Sequence, residues 1–288
     1  MQAGLHFWNF SVPGAPDTLP EVLGRTARTA EQGGFTQFTV MDHWFQMERV
    51  APAEEPMLEA FTTLGFLAAH THSMRIGPLV TGVTYRYPGL LAKIVTTLDV
   101  LSEGRAMLGI GAAWYDREHR GLGVPFPPLA ERFERLEETL QIALQMWSDD
   151  TGAYRGTHYA LEETLSSPAP IQRPHPPIMI GGQGERKTLR LVAQYAQIVN
   201  LTTADPERVA YLLDVLRGHC DRLGTDYDAI EKTVIAAFSD PYDPGFLPQM
   251  EKLSALGITQ VVLGASPDDP VGRVARVADE VLPALAEI

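Results

Sequence analysis

A single cysteine, Cys220, occurs in 288 residues, so neither an intrachain disulfide nor a cysteine-built zinc cluster can form. A reducing compartment is the natural expectation, and Cys220, in a helical stretch beside His219, reads as a buried structural thiol. Long apolar runs are also missing: nothing approaches the roughly eighteen consecutive apolar residues that a membrane-spanning helix requires. The opening Met1-Gln2-Ala3-Gly4-Leu5-His6 has no basic stretch leading into an apolar one, so secretion is not predicted and a cytoplasmic protein is expected. Basic residues are outnumbered, 23 Lys and Arg against 36 Asp and Glu. The resulting net charge of -13 opposes non-specific attraction to nucleic acid and to anionic membranes, leaving a small molecule as the expected partner. No His-x-x-x-His pair and no regular Asp/Glu loop points to a metal, and no Gly-x-Ser-x-Gly elbow points to a serine nucleophile.

What the chain has is alternation. Short apolar runs at 3–10, 37–42, 75–81, 106–111, 178–181, 197–201, 232–238 and 259–263 read as strands. Amphipathic stretches follow them at about 18–33, 57–72, 88–102, 130–147, 185–195, 206–224, 245–256 and 270–284. Eight strand-helix pairs in this length predict an α/β fold, a closed (β/α)8 TIM barrel forming one domain over 1–288, with an open doubly wound sheet as the competing architecture. Some boundaries are explicit. Asp205-Pro206 is a cap followed by proline at the first helical position, and Gly224 stops the same helix. Phe133, Leu136, Leu140, Ala143 and Trp147 form one apolar stripe, with Glu134, Glu137 and Glu138 left to water.

Residues 148–177 break the rhythm between the fourth and fifth strands and read as an insertion. Tyr154, His158 and Tyr159 flank a turn at Gly156 suited to a small hairpin, and the proline-rich run from Ser167 to Pro177 excludes helix. His158 and His175 therefore read as surface residues.

In such a barrel reactive groups gather at the carboxyl ends of the strands. Those ends carry Trp8-Asn9-Phe10, Asp42-His43-Trp44, Thr81-Gly82-Val83-Thr84 and Gly111-Ala112-Ala113-Trp114. The mixture of aromatic, polar and small residues suits a flat ring system. His43 is the candidate for proton chemistry, because imidazole has an unperturbed pKa near neutrality, about 6.5. His6 lies inside the first strand and reads as a satisfied interior residue, and His70 and His72 as structural groups at a helix end. After the fifth strand, Ile178-Met179-Ile180-Gly181-Gly182-Gln183-Gly184 ends at glycines just before a helix, an arrangement that brings backbone N–H groups toward an anion. It matches neither the dinucleotide fingerprint nor the nucleoside-triphosphate loop.

Taken with Thr84-Tyr85-Arg86-Tyr87-Pro88 and Leu98-Asp99-Val100-Leu101-Ser102-Glu103-Gly104-Arg105, these motifs resemble the bacterial luciferase-like superfamily, and within it the oxidoreductases that use the deazaflavin coenzyme F420. The resemblance implies an F420-dependent oxidoreductase, with FMN as the alternative cofactor and an FMN-dependent monooxygenase or a non-catalytic flavin- or deazaflavin-binding protein as alternative functions. It also implies a homodimer. Backbone N–H groups of Gly182 and Gly184, beside Gly181, would hold the cofactor phosphate. Gly111, Ala112 and Ala113 would border the ring, and Asp42, Leu79 and Val80 would join the cofactor site, with a non-prolyl cis peptide mapping onto Leu79-Val80. His43 would exchange the proton that accompanies hydride transfer. Where dehydrogenases of the superfamily place a glutamate partner for that histidine, the chain has Trp114. A pocket lined by Trp8, Phe10, Trp44 and Trp114 then favours reduction of an activated double bond over alcohol oxidation. Arg117 and Arg120 would be placed to meet an acidic cofactor tail.

Overall fold

Side chains alternate between two faces along every strand, and in this chain both faces are apolar over most of the strand length, which suits a sheet rolled into a barrel under a coat of helices. The computed structural model describes all residues, Met1–Ile288. Its strands are β1 (Gln2–Phe7), β2 (Gln37–Val40), β3 (Arg75–Pro78), β4 (Thr81–Gly82), β5 (Leu108–Gly111), β6 (Tyr154–Arg155), β7 (Ala160–Leu161), β8 (Ile178–Gly181), β9 (Ile198–Leu201), β10 (Glu231–Ala236) and β11 (Gln260–Gly264). The helices are α1 (Leu19–Gln32), α2 (Ala60–Ala68), α3 (Pro88–Leu101), α4 (Asp116–Leu122), α5 (Leu129–Met146), α6 (Thr188–Tyr195), α7 (Pro206–Leu223), α8 (Phe246–Ala255), α9 (Pro270–Glu280) and α10 (Leu282–Glu287).

Nine strands pair in the parallel order β3-β2-β1-β11-β10-β9-β8-β5-β4. The third stave of the barrel is split: β3 pairs with β2, then the chain passes the cis Leu79–Val80 peptide, and β4 pairs with β5. A bridge between Ile76 and Ala106 joins β3 to the start of the fourth stave and closes the ring. The expected barrel is thus present, and its predicted third strand, 75–81, is two short pieces.

Outward side chains such as Leu5, Phe7, Phe38 and Val40 pack under the helices in one large core. Inward ones form a plug of Leu79, Met107, Met179, Ile198 and Val262. Register places His6 beside both Thr39 and Gly264, and Gly181 beside Asn200, on the carboxyl side of that plug. On the amino side lie Gln37, Arg75, Glu231 and Gln260. A polar cavity of about 320 Å³ opens there, lined by Gln2, Thr36, Arg75, Arg105, Gln172 and Gln260 among others.

Helix α7 begins where the cap predicts, with the Asp205 carboxylate accepting from the Glu207 amide, and ends at Gly224 with φ of 69°. The insertion carries the hairpin β6-β7, whose turn is closed by the Gly156 amide donating to the Tyr159 carbonyl. Asp99, fully buried on α3, fastens the proline-rich run by accepting from the Ile171 and Gln172 amides at 2.7 and 3.1 Å. His158 is paired with Glu134 at 2.9 Å, and His175 stacks on Trp147. Helix α4 had no expected counterpart, and it carries the residue on which the site turns.

Candidate active site

At the end of β2 the chain leaves the barrel as Asp42-His43-Trp44, and two successive side chains enter two separate polar networks. Asp42, 2% exposed, receives Arg86 as a bidentate pair at 2.5 and 3.1 Å, together with the Thr81 hydroxyl. Arg86 also donates to Glu59 and lies 4.7 Å over the Phe61 ring. Burial works against the guanidinium charge, but Asp42 and Glu59 outweigh it and hold the group more firmly protonated than usual. This network ties the second stave to the start of α3.

His43 turns the other way. Its Nδ1 lies 2.8 Å from Glu118 Oε1, on α4. An ionised carboxylate only accepts, so Nδ1 carries the proton and Nε2 is left as the outward-facing nitrogen. Glu118 is 1% exposed and is held by four donors: His43, the Tyr85 hydroxyl, and the amides of Trp44 at 2.7 Å and Phe45 at 3.3 Å. Burial pushes its carboxyl upward, yet the bonds from His43, Tyr85 and Trp44 prevail and keep it below the ordinary carboxylate range. The phenol of Tyr85 is pushed well up, by burial first and then by Glu118, so it stays a donor. The ring of Trp114 packs edge-on against His43 at 5.4 Å.

Trp114 at the expected partner position therefore does not leave His43 without a carboxylate. Glu118, four residues further along, supplies it. Sequence reading missed this residue because it sits in a seven-residue helix, 75 positions from His43, with no apolar stripe to announce it. The acidic opening Asp116-Arg117-Glu118 after Tyr115 was the one available signal of a helix start.

The floor beneath His43 is made by small residues. A Cβ at Gly181 would lie 2.9 Å from Val80 Cγ1 and one at Gly111 3.1 Å from Val80 Cγ2, so glycine at both positions lets Val80 settle low in the barrel. Ala113 adopts φ of 59°, and its carbonyl and that of Ala112 accept from Arg132 at 2.5 and 3.1 Å. After β8, the Gly182 amide donates to the Asn200 carbonyl at 3.0 Å. That corrects the expected phosphate contact: the Gly182 N–H is committed to the sheet. The amides of Gln183, Gly184 and the following turn up to Thr188 have no partner within the chain, and α6 lacks a capping side chain. Glu185, the nearest carboxylate, is turned away to Arg208 and Tyr211, each at 3.0 Å.

Phe10 does not line a pocket. It is 0% exposed, packs on Phe7 at 5.3 Å and belongs to the outer core, because the chain turns back under α1 once β1 ends at Phe7. The exposed aromatic rim consists of Trp44, Trp114 and Phe238, with Trp8 tilted against Phe238 at 5.0 Å. Arg117 pairs with Glu48 and Glu54, and Arg120 with Asp116, so neither is a free cation.

The family profile described as luciferase-like monooxygenase matches residues 7–241. The chain belongs to the luciferase-like monooxygenase family. It is 30% identical over 274 residues to the F420-dependent glucose-6-phosphate dehydrogenase of Kineococcus radiotolerans, covering 92% of the chain and 77% of that protein. The corresponding enzyme of Microbacterium testaceum is 28% identical over 284 residues, with 87% and 82% coverage. Among solved structures, the coenzyme F420 dependent tetrahydromethanopterin reductase of Methanopyrus kandleri superposes with a TM-score of 0.79 at 18% identity, covering 99% of this chain and all of that one. The last likeness is one of fold.

The residues of this luciferase-like oxidoreductase fit a flat ring with a phosphate tail on structural grounds. Gly111, Gly181 and Val80 make a low, smooth floor, the indole N–H of Trp8 is a buried donor without a partner near the mouth, and the free amides past Gly182 can receive an anion.

Proposed function

We propose that the chain is an F420-dependent oxidoreductase that transfers hydride between the deazaflavin and a small organic molecule, acting as a reductase of an activated double bond. The observation that carries this reading is the His43–Glu118 pair standing beside a glycine floor and a turn of free amides. In this reading Gly111, Ala112, Ala113, Leu79 and Val80 border the ring, and the amides of Gln183 and Gly184 take the phosphate. Bound there, reduced F420 supplies the hydride.

The protein supplies the proton. With Nδ1 fixed on Glu118, His43 presents Nε2 to the substrate; when protonated it donates to the atom that gains negative charge as hydride arrives, and the anionic Glu118 stabilises the imidazolium beforehand. Tyr85 and the Trp44 and Phe45 amides hold Glu118 so that the imidazole cannot swing. Trp44, Trp114 and Phe238 offer ring faces for a planar unsaturated substrate and shed water around the reacting atoms.

The same pair favours a second reading, alcohol oxidation, since a neutral His43 backed by Glu118 can take a hydroxyl proton as hydride leaves the carbon. Two measurements separate the possibilities. Fluorescence quenching with F420 and with FMN, run separately, is expected to show F420 binding; binding of FMN alone would replace the reading by an FMN-dependent monooxygenase. A panel of enones, imines and secondary alcohols with F420 in both redox states is expected to show turnover of the unsaturated compounds. Turnover of alcohols alone would select the second reading, and binding without any hydride exchange would leave a storage protein.

A further inference from the structure

His6 is a buried imidazole that the proton chemistry above does not use. It lies in β1, 4% exposed, pointing into the barrel on the carboxyl side of the apolar plug, between Thr39 on one strand and Gly264 on the other. Its Nδ1 is 2.9 Å from the Thr39 hydroxyl, and that hydroxyl donates its only proton to the Leu5 carbonyl at 3.1 Å. Thr39 can therefore only accept, so His6 Nδ1 carries the proton and Nε2 presents a lone pair. No group of the chain donates to that nitrogen. That nitrogen is not sealed from solvent, so a ligand entering at the mouth of the barrel can reach it.

Depth decides which ligand. His43, Trp44 and Trp114 follow the ends of their strands and stand at the rim, whereas His6 shares the interior layer with Thr39 and Gly264, within the span of the strands. A flat molecule inserted against Val80, Gly111 and Gly181 reaches this layer with its leading edge, while a substrate resting on it stays level with His43. The tricyclic ring of a deazaflavin has one edge that carries a donor, the imide N–H between two carbonyls.

Resting on the assignment of F420, we propose that His6 is a cofactor-reading residue whose Nε2 accepts the imide N–H of the deazaflavin, fixing how far the ring enters the barrel. Burial and the nearby charge of His43 lower the imidazole pKa to about 3, so His6 stays neutral and remains an acceptor at any working pH.

The test is a binding cycle that needs no turnover: F420 and its N3-methyl derivative titrated by fluorescence against the wild type and His6→Leu. Wild type is expected to bind the methylated ring about tenfold more weakly, a size expected for one buried hydrogen bond, and His6→Leu is expected to bind both alike at that weaker level. His6→Gln, whose amide oxygen can occupy the place of Nε2, should recover affinity to within about threefold of wild type, and Thr39→Val, which frees the tautomer, should weaken F420 about threefold. Thermal melting of each variant shows that it is folded. An equal cost of methylation in wild type and His6→Leu overturns the proposal. Binding of FMN in place of F420 would sink the F420 assignment and leave the same cycle, run with FMN and N3-methyl FMN, to decide on His6; binding of neither ring sinks both.

Discussion

The two poles of this barrel are built from the same strands and solve opposite problems. At the amino pole Arg75 is answered by Glu231 at 2.9 Å, and Arg105 is wrapped by the Ser102, Ala68, Thr71 and Met74 carbonyls and the Thr71 hydroxyl. The cationic groups around the polar cavity there are each held by partners within the chain. At the carboxyl pole the inward positions include glycines, Val80 lies low, and the Trp8 donor, the amides after Gly182 and His6 Nε2 have no partner, whereas the groups without a partner at the amino pole are the uncharged amides of Gln37 and Gln260. Polar content alone, or a cavity alone, does not distinguish a site from a structural end of the barrel. What distinguishes them is whether the charges are matched and whether small residues keep room beside them.

Four substitutions break or sharpen that contrast. The largest effect is expected for His43→Ala, which should lower turnover about 10²- to 10⁴-fold while F420 affinity, read by fluorescence, changes little. Loss of affinity with turnover per bound cofactor intact would reduce His43 to a binding residue. Next comes Arg86→Met, which strands Asp42 in a buried setting and should cost about 3 kcal/mol in urea unfolding, whatever is bound at the mouth. A stability equal to wild type would mean that Asp42 finds another partner.

Glu118→Gln removes the charge behind His43 and keeps the shape, so activity should fall about 10- to 100-fold. Its effect on acid stability has a definite sign. The Glu118 carboxyl is held below its ordinary value of 4.5, so its stabilising contribution is complete above that pH and is lost as pH falls through the depressed value. Glu118→Gln should accordingly lose less Tm than wild type between pH 7 and pH 3, and a steeper acid loss in the variant would contradict the assignment. The smallest effect belongs to the other pole. Arg75→Ala breaks a partly exposed pair, for which about 1 kcal/mol or less is expected, with no change in kcat or cofactor affinity. A fall in activity would show that the two ends are coupled.

Much of this architecture was legible in the residues. The eight strand positions and the helix from Pro206 to Leu223 follow from apolar periodicity and from Asp205-Pro206 and Gly224, signals that act locally. The site was legible only in part, because its decisive relations are between strands. That Gly182 donates to Asn200 depends on the register of β8 against β9, which no local pattern states. That Phe10 returns to the core depends on where β1 ends, at Phe7, three residues before the end of the apolar run 3–10. Glu118 meets His43 only because β2 and β5 deliver their following segments to one rim.

The carboxylate of Glu118, carried on α4, gathers its donors from two other crossings of the barrel wall, residues 43–45 and Tyr85. A library that randomises any one of these positions alone should mostly return the parent residue, since the other members constrain it. Varying His43, Tyr85 and Glu118 together is the way for laboratory evolution to reach a new proton donor in this scaffold.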